Sequence, residues 1–154
     1  MSVSPDVLEH QLRSHPLVRG LPADDVTRLL DPARLVEFEA LDVIFRAGDD
    51  ADRLFLVVSG VVALGVQRRS STLRIQTIHE GSILGWSWLF PPHRWQFDAV
   101  AETPVRAIAI DAAELRRSLD EDPAFGYRFV LRIAEVMANR LQATRRRLVD
   151  LMGA

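Results

Sequence analysis

A tryptophan-rich segment interrupted by glycine and proline, residues 81–95, limits the possible folds of this chain more than any other stretch. Gly81 and Gly85 allow sharp backbone turns. The residues WSWLF after Gly85 suffice for one helical turn before Pro91-Pro92 ends it. The runs IQTI and AVAETPVRAIAI on either side are strand-like. The pattern predicts a strand, a tight turn, a helical stub, a loop and another strand, with the first N–H groups of the stub available to an anion.

The period of the hydrophobic pattern changes at Leu35. Residues before it read as two short amphipathic helices. Residues 35–111 consist of short β-branched and aromatic runs separated by turn clusters such as AGDDAD and RRSS, which is typical of a sandwich or jelly-roll barrel. Residues 112–152 are helical again. The sequence therefore predicts a mainly β fold with flanking helices.

Composition narrows the function. The chain has 154 residues, of which 48% are hydrophobic, and this size fits one domain over residues 1–154. The net charge of −2 gives no general electrostatic reason to bind nucleic acid or acidic lipid, and the absence of cysteine excludes thiol chemistry. No apolar run approaches the roughly 20 residues needed to span a bilayer, and the N-terminus has no apolar signal region. We expect a cytoplasmic protein with no membrane partner.

The spacing of glycines resembles that of a known family. Gly48, Gly60, Gly81 and Gly85 occur in order, each beside an apolar strand, and IHEGSILGWSWLF followed by AVAETPVRAIAI is similar to the phosphate-binding cassette of cyclic-nucleotide-binding domains of the catabolite-activator (Crp/Fnr-like) type. This resemblance implies a β-roll or jelly-roll barrel with a long C-terminal dimerisation helix. Its parts would be N-terminal helices over 1–34, a β-roll over 35–111 with the cassette at 81–95, and C-terminal helices over 112–152.

The cassette departs from the family pattern at two polar positions. The family's glutamate, which holds the ribose hydroxyl, falls on Trp86, and its arginine, which pairs with the cyclic phosphate, falls on Trp95. Arg94 is one position out of register and would have to replace that arginine. Trp88 is expected in the core. The resemblance makes these residues the candidate ligand-binding set from the cassette: Gly85, Trp86, Ser87, Arg94 and Trp95.

The C-terminal region predicts a dimer helix. Asp111 is a natural N-cap for a short helix, and Asp122-Pro123 begins a long one. Apolar side chains and one threonine recur along it at near-heptad spacing and form the predicted dimer interface: Ile133, Met137, Leu141, Thr144, Leu148 and Leu151. The stretch MANRLQATRRRL resembles the family's dimer helix. That resemblance implies that Thr144 and Arg145 contact the ligand from across a homodimer.

Catalytic, metal and DNA-binding functions are not expected. The chain has no H-x-H pair, His79 and His93 are single, and no serine lies in a Gly-x-Ser-x-Gly elbow. His10 and His15 are expected to be solvated or to cap helices. The cluster Arg145–Arg147 fans around a helix and makes a poor groove-reading face, and the chain stops at residue 154 without the winged helix of the family's transcription factors.

We therefore expect a non-enzymatic regulatory or sensor module that lacks a DNA-binding domain and binds a non-standard ligand or a partner protein. No metal or cofactor is expected beyond a nucleotide-like ligand. Two alternatives remain open. One is a genuine cyclic AMP or cyclic GMP receptor that uses Arg94 and the cassette amides. The other is a structural subunit whose pocket is filled by the indoles of Trp86 and Trp95.

Overall fold

The computed structural model describes residues 5–153, and these form a β-roll flanked by helices. Residues 1–4 of the predicted N-terminal region and residue 154 lie outside the described part. The elements within 5–153 are α1 (Pro5–Ser14), α2 (Ala23–Leu30), β1 (Ala33–Phe38), β2 (Val43–Phe45), β3 (Arg53–Ser59), β4 (Val62–Arg68), β5 (Ser71–Ile78), β6 (Asp98–Ala101), β7 (Val105–Asp111), α3 (Ala112–Glu121) and α4 (Pro123–Gly153). The predicted class, mainly β with flanking helices, is confirmed.

Two antiparallel sheets form the roll. Their strand orders are β1-β7-β3 and β2-β6-β4-β5. The sheets meet across an apolar core, where the ring centroids of Phe45 in β2 and Phe55 in β3 lie 6.1 Å apart. Because β6 pairs with both β2 and β4, the end of the 81–95 segment is brought beside the strand that carries Phe45. This pairing positions the candidate site.

Strand β3 is buried on both faces. Its residues 54–57 are all buried, and α3 packs near the strand. A continuous apolar run is the expected signature of a strand covered on both sides. The turn after β3 requires Gly60, which has φ 97°, and a Cβ there would lie 2.3 Å from the carbonyl oxygen of Pro104.

The helix starts predicted from capping residues are confirmed for α3 and α4. Asp111 Oδ1 accepts a hydrogen bond from the N–H of Glu114 at 2.9 Å. Asp122 Oδ1 accepts one from the N–H of Phe125 at 3.2 Å, directly before the helix that begins at Pro123. Each carboxylate satisfies an N–H that has no partner within its helix.

Arginines hold the N-terminal half of α4 against the N-terminal helices. Arg128 donates two hydrogen bonds to the buried carboxylate of Asp25 in α2, at 2.7 and 2.8 Å. Arg132 donates to the backbone carbonyls of Pro16 and Leu17, in the connection between α1 and α2. Such bidentate and charge-assisted bonds fix geometry as well as add stability. No helix within residues 5–153 combines the length and apolarity needed to cross a membrane.

His15 is buried in the connection between α1 and α2, so the prediction that its side chain is solvated or caps a helix is wrong. It is 4% exposed, and its Nδ1 accepts the N–H of Leu17 at 3.1 Å. Burial lowers the pKa of His15 from its ordinary value of 6.5 to about 4. The imidazole is therefore neutral at pH 7. His10, by contrast, is exposed as predicted.

Candidate ligand-binding site

The segment 81–95 enters the site through a turn that needs glycine. Gly81 has φ 83°, in the left-handed region. A Cβ on Gly81 would lie 3.2 Å from Cγ of Pro16, so the α1–α2 connection also restricts this position. Two residues later, Ile83 forms an isolated antiparallel bridge with Leu56 of β3. The first part of the segment is thus fastened to both the N-terminal region and the roll.

The residues after Gly85 form turns instead of the predicted helical stub. Residues 86–90 contain no helix, and the N–H of Leu89 donates to the carbonyl of Trp86 at 2.9 Å. Five residues between a glycine and a proline pair are too few to offset the cost of nucleating a helix. The predicted helical stub is therefore wrong, and this segment offers no helix N-terminus to an anion.

A cavity of about 230 Å³ lies between this segment, the second sheet and α4. Its walls are mainly apolar and include the aromatic side chains of Phe45, Trp86, Trp95 and Phe97. Its polar side chains are Gln76, Ser87, Gln96 and Arg140. Among the described residues no carboxylate lines it. A concave, mostly apolar pocket with a few polar groups is the usual form of a small-molecule site.

The three tryptophans have three different environments. Trp95 is 4% exposed and stacks on Phe45, and it forms one wall of the cavity. Trp86 also lines the cavity but is 38% exposed, so it lies at the rim. Trp88 is fully buried against Phe129 of α4, with ring centroids 6.3 Å apart, which confirms its prediction as a core residue. Of the two tryptophans separated by one residue, Trp86 thus lies at the rim and Trp88 in the core.

Gly85 and Ser87 both line the cavity. Gly85 has no positive φ, and its role is packing, because a Cβ there would lie 3.1 Å from the ring of Trp95. Any larger residue at this position would press on the indole. The glycine therefore permits the close approach of the cassette backbone to the aromatic wall.

Arg94 points away from the cavity. Its Nη1 donates to the carbonyl of Gly48 at 3.0 Å and lies 3.4 Å from Oδ1 of Asp50. Its side chain is 56% exposed, and Arg94 is not among the residues that line the cavity. The backbone explains this orientation, because the bridge between Asp50 and Arg94 directs the chain toward the 48–50 turn. The structure therefore gives Arg94 a role in fastening that turn.

Arg140 of α4 supplies the positive charge at the cavity. Its guanidinium donates to Oγ of Ser82 at 2.6 Å and to the carbonyl oxygen of Ile83. Burial lowers its pKa to about 10, so it remains a cation at pH 7. It takes part in none of the ion pairs found among residues 5–153. The site therefore contains a partly buried cation bonded only to neutral groups.

Sequence reasoning missed Arg140, although a signal was present. Phe129, Ile133, Val136 and Arg140 follow one another at helical spacing, and the first two are buried while Val136 packs against the core. An arginine that continues a buried face has to point inward.

The predicted ligand contacts on α4 lie away from the cavity of their own chain, and their contact with the ligand of a second copy stays a prediction. Thr144 and Arg145 are exposed and do not line it. Leu141, Leu148 and Leu151 are exposed as well, and Met137 is partly buried. Ile133 differs from the rest of the predicted seam, because it is 1% exposed and lies in the core of its own chain. An interface between two copies would have to exclude it.

The remaining histidines show no metal site. Within residues 5–153 there is no group of three or more histidine, cysteine, aspartate or glutamate side chains placed to hold a metal ion. His79 is exposed, and His93 is in the loop next to Arg94.

A two-sheet roll, a glycine-bounded loop and a long helix around one small cavity define a class of ligand-sensing domain. A family model described as "Cyclic nucleotide-binding domain" matches residues 35–122. The chain belongs to this family.

Two of its curated relatives are regulators. The chain is 26% identical over 137 residues to a CRP-like cAMP-activated global transcriptional regulator of Mycobacterium tuberculosis, an alignment that covers 88% of this chain and 59% of that protein. It is 30% identical over 95 residues to the global nitrogen regulator of Synechococcus elongatus, covering 60% of this chain and 43% of that protein. The chain thus spans 59% and 43% of the lengths of these relatives.

Solved structures share the fold. A protein of Geobacter metallireducens GS-15 that carries the description cyclic nucleotide-binding protein has a TM-score of 0.76 and 27% identity, covering 90% of this chain and 98% of that one. The sensor domain of the regulator DNR from Pseudomonas aeruginosa has a TM-score of 0.68 and 19% identity, covering 86% and 92%. The similarity to the DNR sensor domain is evidence of a shared fold only.

Proposed function

We propose that this chain is a non-catalytic regulatory module that binds a small ligand in the cavity between the cassette and α4. One observation carries the proposal: Arg140 reaches from α4 to Ser82 and Ile83 at the start of the cassette. A ligand at this point contacts the loop and the helix together. It therefore has the means to change how α4 packs on the roll.

The same geometry disfavours a usual cyclic nucleotide. The family's ribose-binding glutamate and phosphate-binding arginine are replaced by Trp86 and Trp95, and Arg94 is bonded to the 48–50 turn. No carboxylate lines the cavity within residues 5–153, so a ribose hydroxyl would lose its acceptor there. Removing a charged hydrogen-bond partner typically costs several kcal/mol, of order ~1.5–3 for each bond.

The proposal includes a homodimer through α4. Side chains along one face of this helix follow 3-4 spacing over its whole length, and except for the partly buried Met137 they are exposed in the single chain. This stripe comprises Tyr127, Val130, Ala134, Met137, Leu141, Thr144, Leu148 and Leu151. It extends the predicted seam toward the N-terminus and omits Ile133. A change in the packing of α4 would then alter how the two copies of the homodimer are arranged relative to each other.

Screening a compound library that includes cyclic AMP and cyclic GMP tests this function. Binding is measured by calorimetry, and hydrogen exchange is followed over residues 137–142 of α4. We expect at least one compound to bind, to protect that stretch, and to lose affinity in Ser87→Trp, which adds an indole to the cavity lining. Arg117→Trp, on the exposed side of α3, is the matched control. If every compound that binds is insensitive to Ser87→Trp, or if none binds, the cavity is not a sensor site.

A partner protein is the second candidate. Trp86, Phe90 and Phe97 are large apolar side chains exposed within the segment 86–97, and Trp86 and Phe97 also line the cavity. Exposed aromatic groups of this kind are enriched at protein interfaces. In that case Trp95 would act as a permanent filler, and Trp86→Ala would weaken partner binding without affecting any small ligand.

A further inference from the structure

Arg140 differs from the other arginines that α4 uses to hold the molecule together. Arg128 is paired with the carboxylate of Asp25, and Arg132 lies 2.9 Å from that of Glu135. Arg140 has only the hydroxyl of Ser82 and the carbonyl of Ile83. A partly buried cation without a counterion is costly, and the burial that lowers its pKa reflects that cost. An anion from outside the chain would supply the missing charge.

The rest of the lining limits that anion to a single charge. Gln76, Ser87 and Gln96 offer hydrogen bonds but no charge, and Arg140 is the one cation among the described lining residues. A phosphate monoester carries about −1.5 to −2 at pH 7, which one guanidinium does not balance. A carboxylate and a phosphodiester each carry one charge and match the two-pronged donor geometry of arginine. Among the described residues no carboxylate lines the cavity to accept a ribose hydroxyl, which favours the carboxylate ligand over a cyclic nucleotide.

The walls of the cavity favour a flat apolar body. The rings of Trp95 and Phe45 are nearly parallel, with 6° between the ring planes, and stack on each other, so that each ring covers one face of the other. Trp86 and Phe97, each 38% exposed, lie at the rim, where they would cover the ring of a bound ligand. Offset or edge-to-face contact with such rings is favourable beyond the area buried.

The cavity suits a compact ligand. It measures about 230 Å³, whereas sites for drug-sized ligands usually measure about 300–1,000 Å³. A one- or two-ring acid fits this volume, and a larger ligand would extend past Trp86 and Phe97 into solvent.

We propose that the ligand is a small aromatic monocarboxylate, bound with its carboxylate on Arg140 and its ring against Trp86 and Phe97 at the rim. This inference rests on the proposed ligand-sensing function and specifies the chemical class of the ligand. Upon binding, the carboxylate would compete with Ile83 and Ser82 for the guanidinium. The loop start and α4 would then be linked through the ligand.

The probes are naphthoate, its neutral analogue naphthamide, and cyclohexanecarboxylate as a non-aromatic acid. Calorimetry on the full chain should give naphthoate about tenfold to a hundredfold tighter binding than naphthamide, the advantage of a charged hydrogen bond. Arg140→Gln should remove that difference and leave naphthamide binding unchanged, while Arg140→Lys should retain part of it. Arg94→Gln is the matched control and should change neither affinity. Trp86→Ala should weaken naphthoate binding but not cyclohexanecarboxylate binding.

The outcomes separate this inference from the proposed function. If the amide binds as tightly as the acid, or if Arg140→Gln preserves the preference while the variant melts as a folded protein, the ligand class is wrong. Cavity binding by a cyclic nucleotide in preference to naphthoate also overturns the class but leaves the sensor function standing. If no probe and no library compound binds, both proposals fall together.

Discussion

The indole of Trp95 lies flat on the ring of Phe45, with centroids 3.9 Å apart and 6° between the planes. These residues belong to different parts of the roll, the loop before β6 and strand β2. Their contact closes one wall of the cavity and buries Trp95 almost completely. Trp86, although it lines the same cavity, remains accessible. The two indoles at the altered cassette positions therefore have separate roles, one structural and one at the surface.

Replacing each indole with alanine should separate these roles. Trp95→Ala should lower the free energy of unfolding by ~3–5 kcal/mol, because a large buried aromatic side chain is removed and a void remains. Trp86→Ala should cost about 1 kcal/mol or less, since this side chain is partly in solvent. Urea denaturation of both variants measures the difference. Equal losses would mean that Trp86 is as well packed as Trp95.

Cyclic AMP and cyclic GMP should bind with dissociation constants above ~100 μM, because the loss of charged partners costs several kcal/mol and ~1.4 kcal/mol is a factor of ten. Arg94→Ala should leave this weak binding unchanged, since Arg94 is bonded to Gly48 and lies beside Asp50. Titration calorimetry gives both values. Micromolar affinity that Arg94→Ala abolishes would restore the cyclic nucleotide receptor.

The dimer proposal predicts different effects for exposed and buried apolar residues of α4. Leu141→Glu together with Leu148→Glu should convert a dimer into a folded monomer in sedimentation experiments, because both side chains are exposed in the single chain. Ile133→Ala is the control and should instead lower stability by ~2–5 kcal/mol, since Ile133 is a core residue. A wild-type chain that sediments as a monomer at tens of micromolar would end the dimer proposal.

The buried, neutral side chain of His15 should make the folded protein less stable in mild acid. The pKa of His15 is lowered by burial in the folded chain to about 4, and the unfolded chain binds the proton from about 6.5 downward. The contribution of the neutral imidazole is therefore fully present above pH 6.5 and declines as the pH falls toward 4, by about 3 kcal/mol in total. Urea denaturation between pH 7 and pH 4 measures it.

His15→Gln should reduce the part of this pH dependence that lies between pH 6.5 and 4. His10→Gln, on the exposed part of α1, is the matched control and should retain it. If the His15→Gln variant loses stability with falling pH as steeply as the wild type, another group is responsible for the acid sensitivity.

Local sequence patterns predicted the structure correctly where neighbours along the chain decide the outcome. The change of hydrophobic period near Leu35 falls within β1, and the turn at Gly60 requires the conformation that glycine provides. Asp111 and Pro123 mark helix starts because caps satisfy N–H groups only a few residues away. The prediction of a helical stub after Gly85 was wrong because the segment is too short to nucleate a helix, whatever its composition.

Long-range packing decided the rest. The sequence by itself determined the order of strands and helices, the family resemblance and the loss of the usual polar cassette residues, since these depend on short-range propensity and spacing. Only the tertiary structure decided that Arg94 bonds to Gly48 and that Ile133 lies in the core of its own chain. It also decided the contact of Arg140 with Ser82, a residue 58 positions earlier. Side-chain direction depends on which distant elements pack together, and that information is spread over the whole chain.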